Sequence, residues 1–213
     1  MAEMSDAGFQ LDGVRDPRLA VHATSVAPAW LWSPDGAHIL WANAAGTRLF
    51  GERSAARLAE RTIGPADPHR RHAAQLASRL PPDITRLEKL RGFGAPFGRL
   101  LTCACTLLSF PGGASARRIA AVEPVGRALP LTERLAHVAD SVALPAMIFT
   151  ADGALIGAND AAKPFAGLFN DLAGHCFDEA RNGALHDGRS MLQAEFGRIA
   201  LHVEMSVGSR DLR

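Results

Sequence analysis

The stretch Pro28-Ala29-Trp30-Leu31-Trp32-Ser33-Pro34-Asp35-Gly36, with Ile39-Leu40-Trp41-Ala42-Asn43 two residues later, decides the fold. Trp30 and Trp32 flank Leu31 in an aromatic, extended segment. Pro34 presets φ, and the Asp35-Gly36 pair that follows tolerates positive φ, so the run predicts a hairpin whose returning strand is 39–41. From Ala44 the two-residue alternation is lost and a helix is expected, stopping near Gly51. Upstream, Asp16 can cap the orphan amides of a helix and Pro17 suits its first position, which predicts a short helix over 18–26. Downstream, residues 54–60 and 69–80 read as short helices, separated by Gly64-Pro65 and ended by Pro81-Pro82. Strands are expected at 84–91, 99–110 and 117–122, with turns at 92–98 and at Pro111-Gly112-Gly113. Helix, two strands, short helices and three strands make an α+β domain on an antiparallel sheet.

The deciding stretch occurs twice. Arg18-Leu19-Ala20 returns as Arg134-Leu135-Ala136, and Ser25-Val26-Ala27 as Ser141-Val142-Ala143, both 116 positions on. Pro28-Ala29 then matches Pro145-Ala146, and Asp35-Gly36-Ala37 matches Asp152-Gly153-Ala154, now 117 apart. Ile39 matches Ile156, Ala42-Asn43 matches Ala158-Asn159, and Phe97-Gly98-Arg99-Leu100 matches Phe196-Gly197-Arg198-Ile199. Seven matches in one order predict two copies of one unit. The copies are unequal. Asn43 to Phe97 spans 54 positions but Asn159 to Phe196 only 37, so the second copy lacks about a helix and loop. The 17 residues after Phe196 suffice for one strand and not for a returning one. The expected organisation is a flexible 1–15, a first domain over 16–126, a connecting helix within 127–143, and a truncated second domain over 144–213 without its last strand.

In the connection, Leu131, Leu135, Val138 and Val142 form one apolar helical stripe, with Thr132 as its candidate N-cap. The stripe packs on its own domain or forms a dimer seam.

This order of elements, with an Asp-Gly hairpin followed by Ala-Asn at a helix start, resembles the PAS domain. The motifs are the stretch quoted above and its second set, Pro145-Ala146-Met147-Ile148-Phe149-Thr150-Ala151-Asp152-Gly153 with Ile156-Gly157-Ala158-Asn159. The whole also resembles the N-terminal tandem input region of bacterial sensor histidine kinases. The resemblance implies a five-stranded antiparallel sheet with short helices on one face, the last strand lying beside the first, in two tandem copies with the second incomplete. It implies a sensory and protein-interaction module that dimerises through flanking helices and drives a downstream kinase or other output domain. A small ligand is a further implied partner; the alternative within the family is a haem or flavin redox or gas sensor. By the same analogy Asp35, Gly36 and Asn43, with Asp152, Gly153 and Asn159, are structural signatures and not catalytic residues.

Composition narrows the field. The 213 residues carry 23 basic and 22 acidic side chains, and that balance lacks the clustered cations of a nucleic-acid binder. Only Lys89 and Lys163 are lysines, so 21 of the basic residues are arginines. No apolar run reaches the length of a membrane span. The start, Met1-Ala2-Glu3-Met4-Ser5-Asp6, has neither the basic nor the apolar region of a secretory signal. Three cysteines make no disulfide framework, and the expected location is cytoplasmic.

Catalytic motifs are not found, and no catalytic, cofactor or metal residue is assigned. A histidine kinase needs a phosphoacceptor His on a helix with an acidic neighbour. His186-Asp187 has the neighbour, but Gly183 and Gly188 predict a loop there. The glycines between 92 and 98 lack the Lys-Ser/Thr of a phosphate-binding loop and precede a strand. Cys103 and Cys105 point to one face of a strand and read as buried small side chains; a metal shared with Cys176 or His175 would need a second close ligand pair. Cys176-Phe177 has a faint likeness to flavin-binding PAS domains without the rest of that motif. His69 and His72 are surface histidines or, alternatively, haem ligands. Trp30, Trp32 and Trp41 read as core, with a ligand-lining role as the alternative.

Overall fold

The computed structural model of the chain describes residues 16–77, 79–94, 99–142, 144–167, 175–187, 189–194 and 197–202. The expected flexible 1–15, the Phe97–Phe196 match and the last eleven positions lie outside the described residues. Asp16 caps α1 (Pro17–Ala23), its carboxylate accepting from the Arg18 amide at 2.9 Å. The hairpin follows as β1 (Ala29–Trp32) and β2 (Ile39–Ala42), and its turn places Gly36 at φ +68°. Asn43 caps α2 (Ala44–Leu49) and Ser54 caps α3 (Ala55–Glu60), both through side-chain oxygens. After α4 (Pro68–Ala77) come β3 (Arg86–Arg91), β4 (Leu100–Ser109) and β5 (Ser115–Ala121). The five strands form one antiparallel sheet in the order β2-β1-β5-β4-β3. β5 begins two residues before its expected start, because a 3-10 turn at Pro111–Gly113 returns the chain at once and pairs Ser115 with Ser109.

All four residues of β1 are buried. A strand with no exposed position must be covered on both faces. Trp30 and Trp32 face Leu58 of α3, Ala73 and Leu76 of α4, and Phe93, together with Cys103, Cys105 and Ile119 of the sheet. Ala29 and Leu31 face the other way, with Trp41 and Ala120, and meet Leu19 and Ala23 of α1. This corrects the expectation of helices on one face. Burying each large apolar side chain contributes roughly 1.5–3 kcal/mol, so both layers matter to the fold.

The connecting helix is α5 (Leu131–Asp140). Pro130 occupies its cap position without a side-chain bond, so Thr132 is not the cap. Leu131, Leu135, Val138 and Val142 are half-buried, and Val138 packs against the α1 side of the first sheet.

The second unit contains β6 (Met147–Phe149), β7 (Leu155–Ala158), a short α6 (Lys163–Ala166), α7 (His175–Asp187), β8 (Arg189–Ala194) and β9 (Gly197–His202). β6 pairs with β7 and β8 with β9, as two separate two-stranded sheets. In the first unit β5 lies between β1 and β4 and joins the two hairpins. Among the described residues the second unit has no strand in that role. α7 corrects the loop expected around Gly183: this glycine is helical, and a Cβ there would make only ordinary contact, 3.4 Å from the Ser190 hydroxyl of β8. Among the described residues, no helix is long and apolar enough to cross a membrane.

Candidate functional site

The first element of the candidate site is a buried amide. Asn43 is 1 % exposed, and its Nδ2 donates to the carbonyls of His22 at 2.9 Å and Ala27 at 2.8 Å, with Ser25 O at 3.4 Å. Its Oδ1 accepts from the amides of Ala29 at 3.1 Å and Gly46 at 2.8 Å. One side chain thus ties the end of α1, the start of β1 and the start of α2. Asn159, 4 % exposed, does the same between the connecting helix and the second hairpin. Its Nδ2 donates to Ala139 O at 3.1 Å, Val142 O at 2.9 Å and Leu144 O at 2.9 Å. Its Oδ1 accepts from Ala146 N and Ala162 N, each at 3.0 Å. Both residues satisfy carbonyls that a helix end leaves without partners.

The second element is the flank of α5 that the first unit holds. His137 Nε2 lies 3.1 Å from Thr47 Oγ1 of α2. Arg134 donates to the carbonyl of Thr24, just past α1, and to Leu129 O at 3.1 Å. Arg48 and Glu133 pair at 3.3 Å across the surface. Between α2 and α5 runs an open groove of about 330 Å³, walled by Arg48, Glu52, Arg53, Glu133, His137 and Asp140. Burial pushes the His137 imidazole down to about 4, so it is neutral near pH 7. Burial, aided by the nearby charge of Asp160, raises the Asp140 carboxyl. α5 is therefore in contact with both units through short-range, directional bonds.

Aromatic rings cluster between the first sheet and its helices. Phe50 and Phe93 stand edge-on to both Trp30 and Trp32, with centroids 5.4–6.0 Å apart. His69 joins this cluster, 4.9 Å from Phe93 and 5.1 Å from Phe50. Its Nδ1 lies 2.8 Å from the Asp67 carboxylate and its Nε2 accepts from the Phe93 amide at 3.3 Å. Haem ligation by His69 would break one of these bonds and displace a packed ring. His72 sits on the same helix, half-buried, with Nδ1 inside and without a hydrogen-bond partner among the described residues. Trp30 and Trp32 are fully buried and Trp41 is 3 % exposed, on the other face of the sheet.

Cys103 and Cys105 share a face as their spacing requires, both fully buried as free thiols. Burial raises the Cys103 thiol to about 12 and raises Cys105 as well, which leaves both protonated and poor nucleophiles. The side chains of His175 and Cys176 lie outside the described residues, and no group of three or more metal-ligating side chains occurs among the described ones. His186 is on the last turn of α7 and exposed, so the loop argument against it no longer applies. The helix ends one residue later and β8 starts at Arg189, which leaves no helical surface beyond it.

Asp35 and Gly36 shape the first turn, where Asp35 accepts from Ser33 Oγ at 2.7 Å and from Ala37 N at 3.0 Å. Asp152 and Gly153 occupy the second turn, with Gly153 at φ +97°. Residues that sequence reasoning missed are Thr47, Arg134 and His137. The available signal was that Arg134 repeats Arg18, and that a histidine interrupts the apolar stripe of α5 next to Val138. Compared with known proteins, the chain matches no family model and no curated protein.

Proposed function

We propose that this chain is a sensory and protein-interaction input module of a signal-transduction protein, built of two related units that resemble PAS domains. On this reading it works in the cytoplasm, joins a second copy through its flanking helices and drives an output domain of the two-component histidine kinase type. The observation that carries the reading is the double engagement of α5. Asn159 fastens the Ala139 carbonyl in the last turn of the helix, and that of Val142 just beyond it, to the second hairpin, while Thr47, Thr24 and Arg48 of the first unit hold its flank. A helix bound on both sides moves with either neighbour, and that is the mechanical requirement for passing a change along the chain. The same offset between the bonds of Asn43 and those of Asn159 supports two copies of one unit. The strand order β2-β1-β5-β4-β3, with the last strand beside the first, supports the likeness for the first copy.

The test is light scattering of the purified chain across a concentration series, paired with its absorption spectrum. A concentration-dependent dimer that substitutions on the exposed flank of α5 weaken, in a colourless protein, is expected. A strict monomer at the highest concentration would remove the self-association, and a visible absorption band would replace this reading with a haem or flavin sensor.

A further inference from the structure

Trp32 of β1 and Arg117 of β5 are directly opposed in the sheet, and both point to the face covered by α3 and α4. Trp32 is fully buried and Arg117 is 4 % exposed. The Nη1 of Arg117 donates to the carbonyls of Ser33 and Pro34, which holds the hairpin turn. Its Nε–H and the Trp32 Nε1–H are both buried without an acceptor among the described residues. Arg117 also makes none of the ion pairs among those residues. Asp35, whose charge reaches it, is already bound to Ser33 and Ala37 and lies 3.7 Å from Arg70. A buried guanidinium without a counterion is costly, as is a buried donor without an acceptor. Cross-strand neighbours on one face bring their side chains within reach of a common partner.

We propose that Trp32 and Arg117 form a binding site for a small carboxylate of formate or acetate size, one oxygen of which takes both N–H bonds. Water could satisfy the two donors, but it would add no negative charge beyond that of Asp35, which is shared with Arg70, and would bring two further O–H groups that need acceptors. A carboxylate supplies acceptors and the missing negative charge together, and charge-assisted bonds of this kind are the stronger ones. The site lies in the first unit, away from the groove beside α5. Its failure would leave the self-association reading standing, since that rests on light scattering.

The decisive experiment is an NMR titration of the full chain with sodium formate and sodium acetate, with sodium sulfate holding ionic strength constant. The Trp32 indole N–H signal, assigned with Trp32→Phe, and the Arg117 Nε–H signal, assigned with Arg117→Lys, are expected to shift saturably with one common midpoint. Trp32→Phe should weaken formate binding about tenfold, the loss of one charge-assisted bond. Unmoved signals across the formate and acetate range, or a midpoint unchanged by Trp32→Phe, would overturn the proposal. Transfer of magnetisation from a bound water to the Trp32 indole in the presence of saturating formate would overturn it as well. Should Arg117→Lys not fold, the Trp32 signal of the unaltered chain still decides.

Discussion

Asn43 and Asn159 each bind five backbone groups, and every partner of one lies 116 or 117 positions from a partner of the other. Removing either amide leaves several buried carbonyls and amides unpaired at once. Asn43→Ala is expected to destabilise the chain by roughly 2–4 kcal/mol, combining a lost helix cap with unsatisfied groups. Asn43→Asp keeps the acceptor but turns the donor into an oxygen facing three carbonyls, so it should rescue little. Urea unfolding measures the first effect. Hydrogen exchange separates the two sites: Asn159→Ala should loosen β6 and β7 and leave β3 to β5 protected.

Gly46 offers a reversal of an ordinary rule. An exposed glycine inside a helix gains roughly 0.5–1 kcal/mol when replaced by alanine. A Cβ at Gly46 would instead sit 2.7 Å from the Ala29 carbonyl and 2.8 Å from the Trp30 indole nitrogen. That nitrogen donates to the Gly46 carbonyl at 3.0 Å, so neither neighbour can withdraw without losing a bond. Gly46→Ala should cost about 2 kcal/mol or more, read as a lowered melting temperature. Gly157, with open space around its Cβ position, should tolerate alanine far better.

The parts of this fold that were legible in the sequence are those set by near neighbours. Asp16, Asn43 and Ser54 act as caps on residues two or three positions away, and Asp35-Gly36 carries its own turn chemistry. What was not legible depends on contacts across the fold. The burial of all of β1 needs α1 on the far face, and no local pattern of four apolar residues says which partner covers which side. Gly183 reads as a breaker in isolation, yet it lies inside a helix that packs against the next strand, a tertiary contact that local sequence does not report. The roles of His137 and Arg117 are likewise invisible in a single sequence, since their partners Thr47 and Ser33 are distant along the chain.

The thiols give a reactivity prediction. Cys103 and Cys105 are fully buried and held protonated by that burial. Iodoacetamide at pH 8, followed by peptide mapping, should leave both unmodified in the folded chain. They should react only through the opened state, and with alkylation slower than reclosing, destabilising variants such as Asn43→Ala should speed labelling in proportion to the open population. Prompt labelling of either thiol in the unaltered chain would contradict the burial of the β4 inner face.

Finally, His22 and His137 predict how stability depends on acidity. Both imidazoles are pushed down to about 4, His137 by burial and His22 by burial together with the charge of Arg118. An unfolded histidine titrates near 6.5. Between these values the unfolded chain takes up protons that the folded one refuses, so stability rises with pH across this window. It should therefore be fully present above about 6.5, fall as the pH drops toward 4, and level off below for these two groups. The charged groups around His137 are of both signs, with Arg48 and Arg53 facing Glu133 and Asp140 in the groove, and they leave burial as the dominant cause. His137→Leu should flatten part of the slope in a series of thermal melts. In the unaltered chain, acidification should raise hydrogen exchange in residues 131–140 before the first sheet, because the Thr47–His137 contact is among those that seat α5 on α2. Equal slopes for the variant and the unaltered chain would show that the His137 imidazole takes up its proton as readily in the folded chain as in the unfolded one.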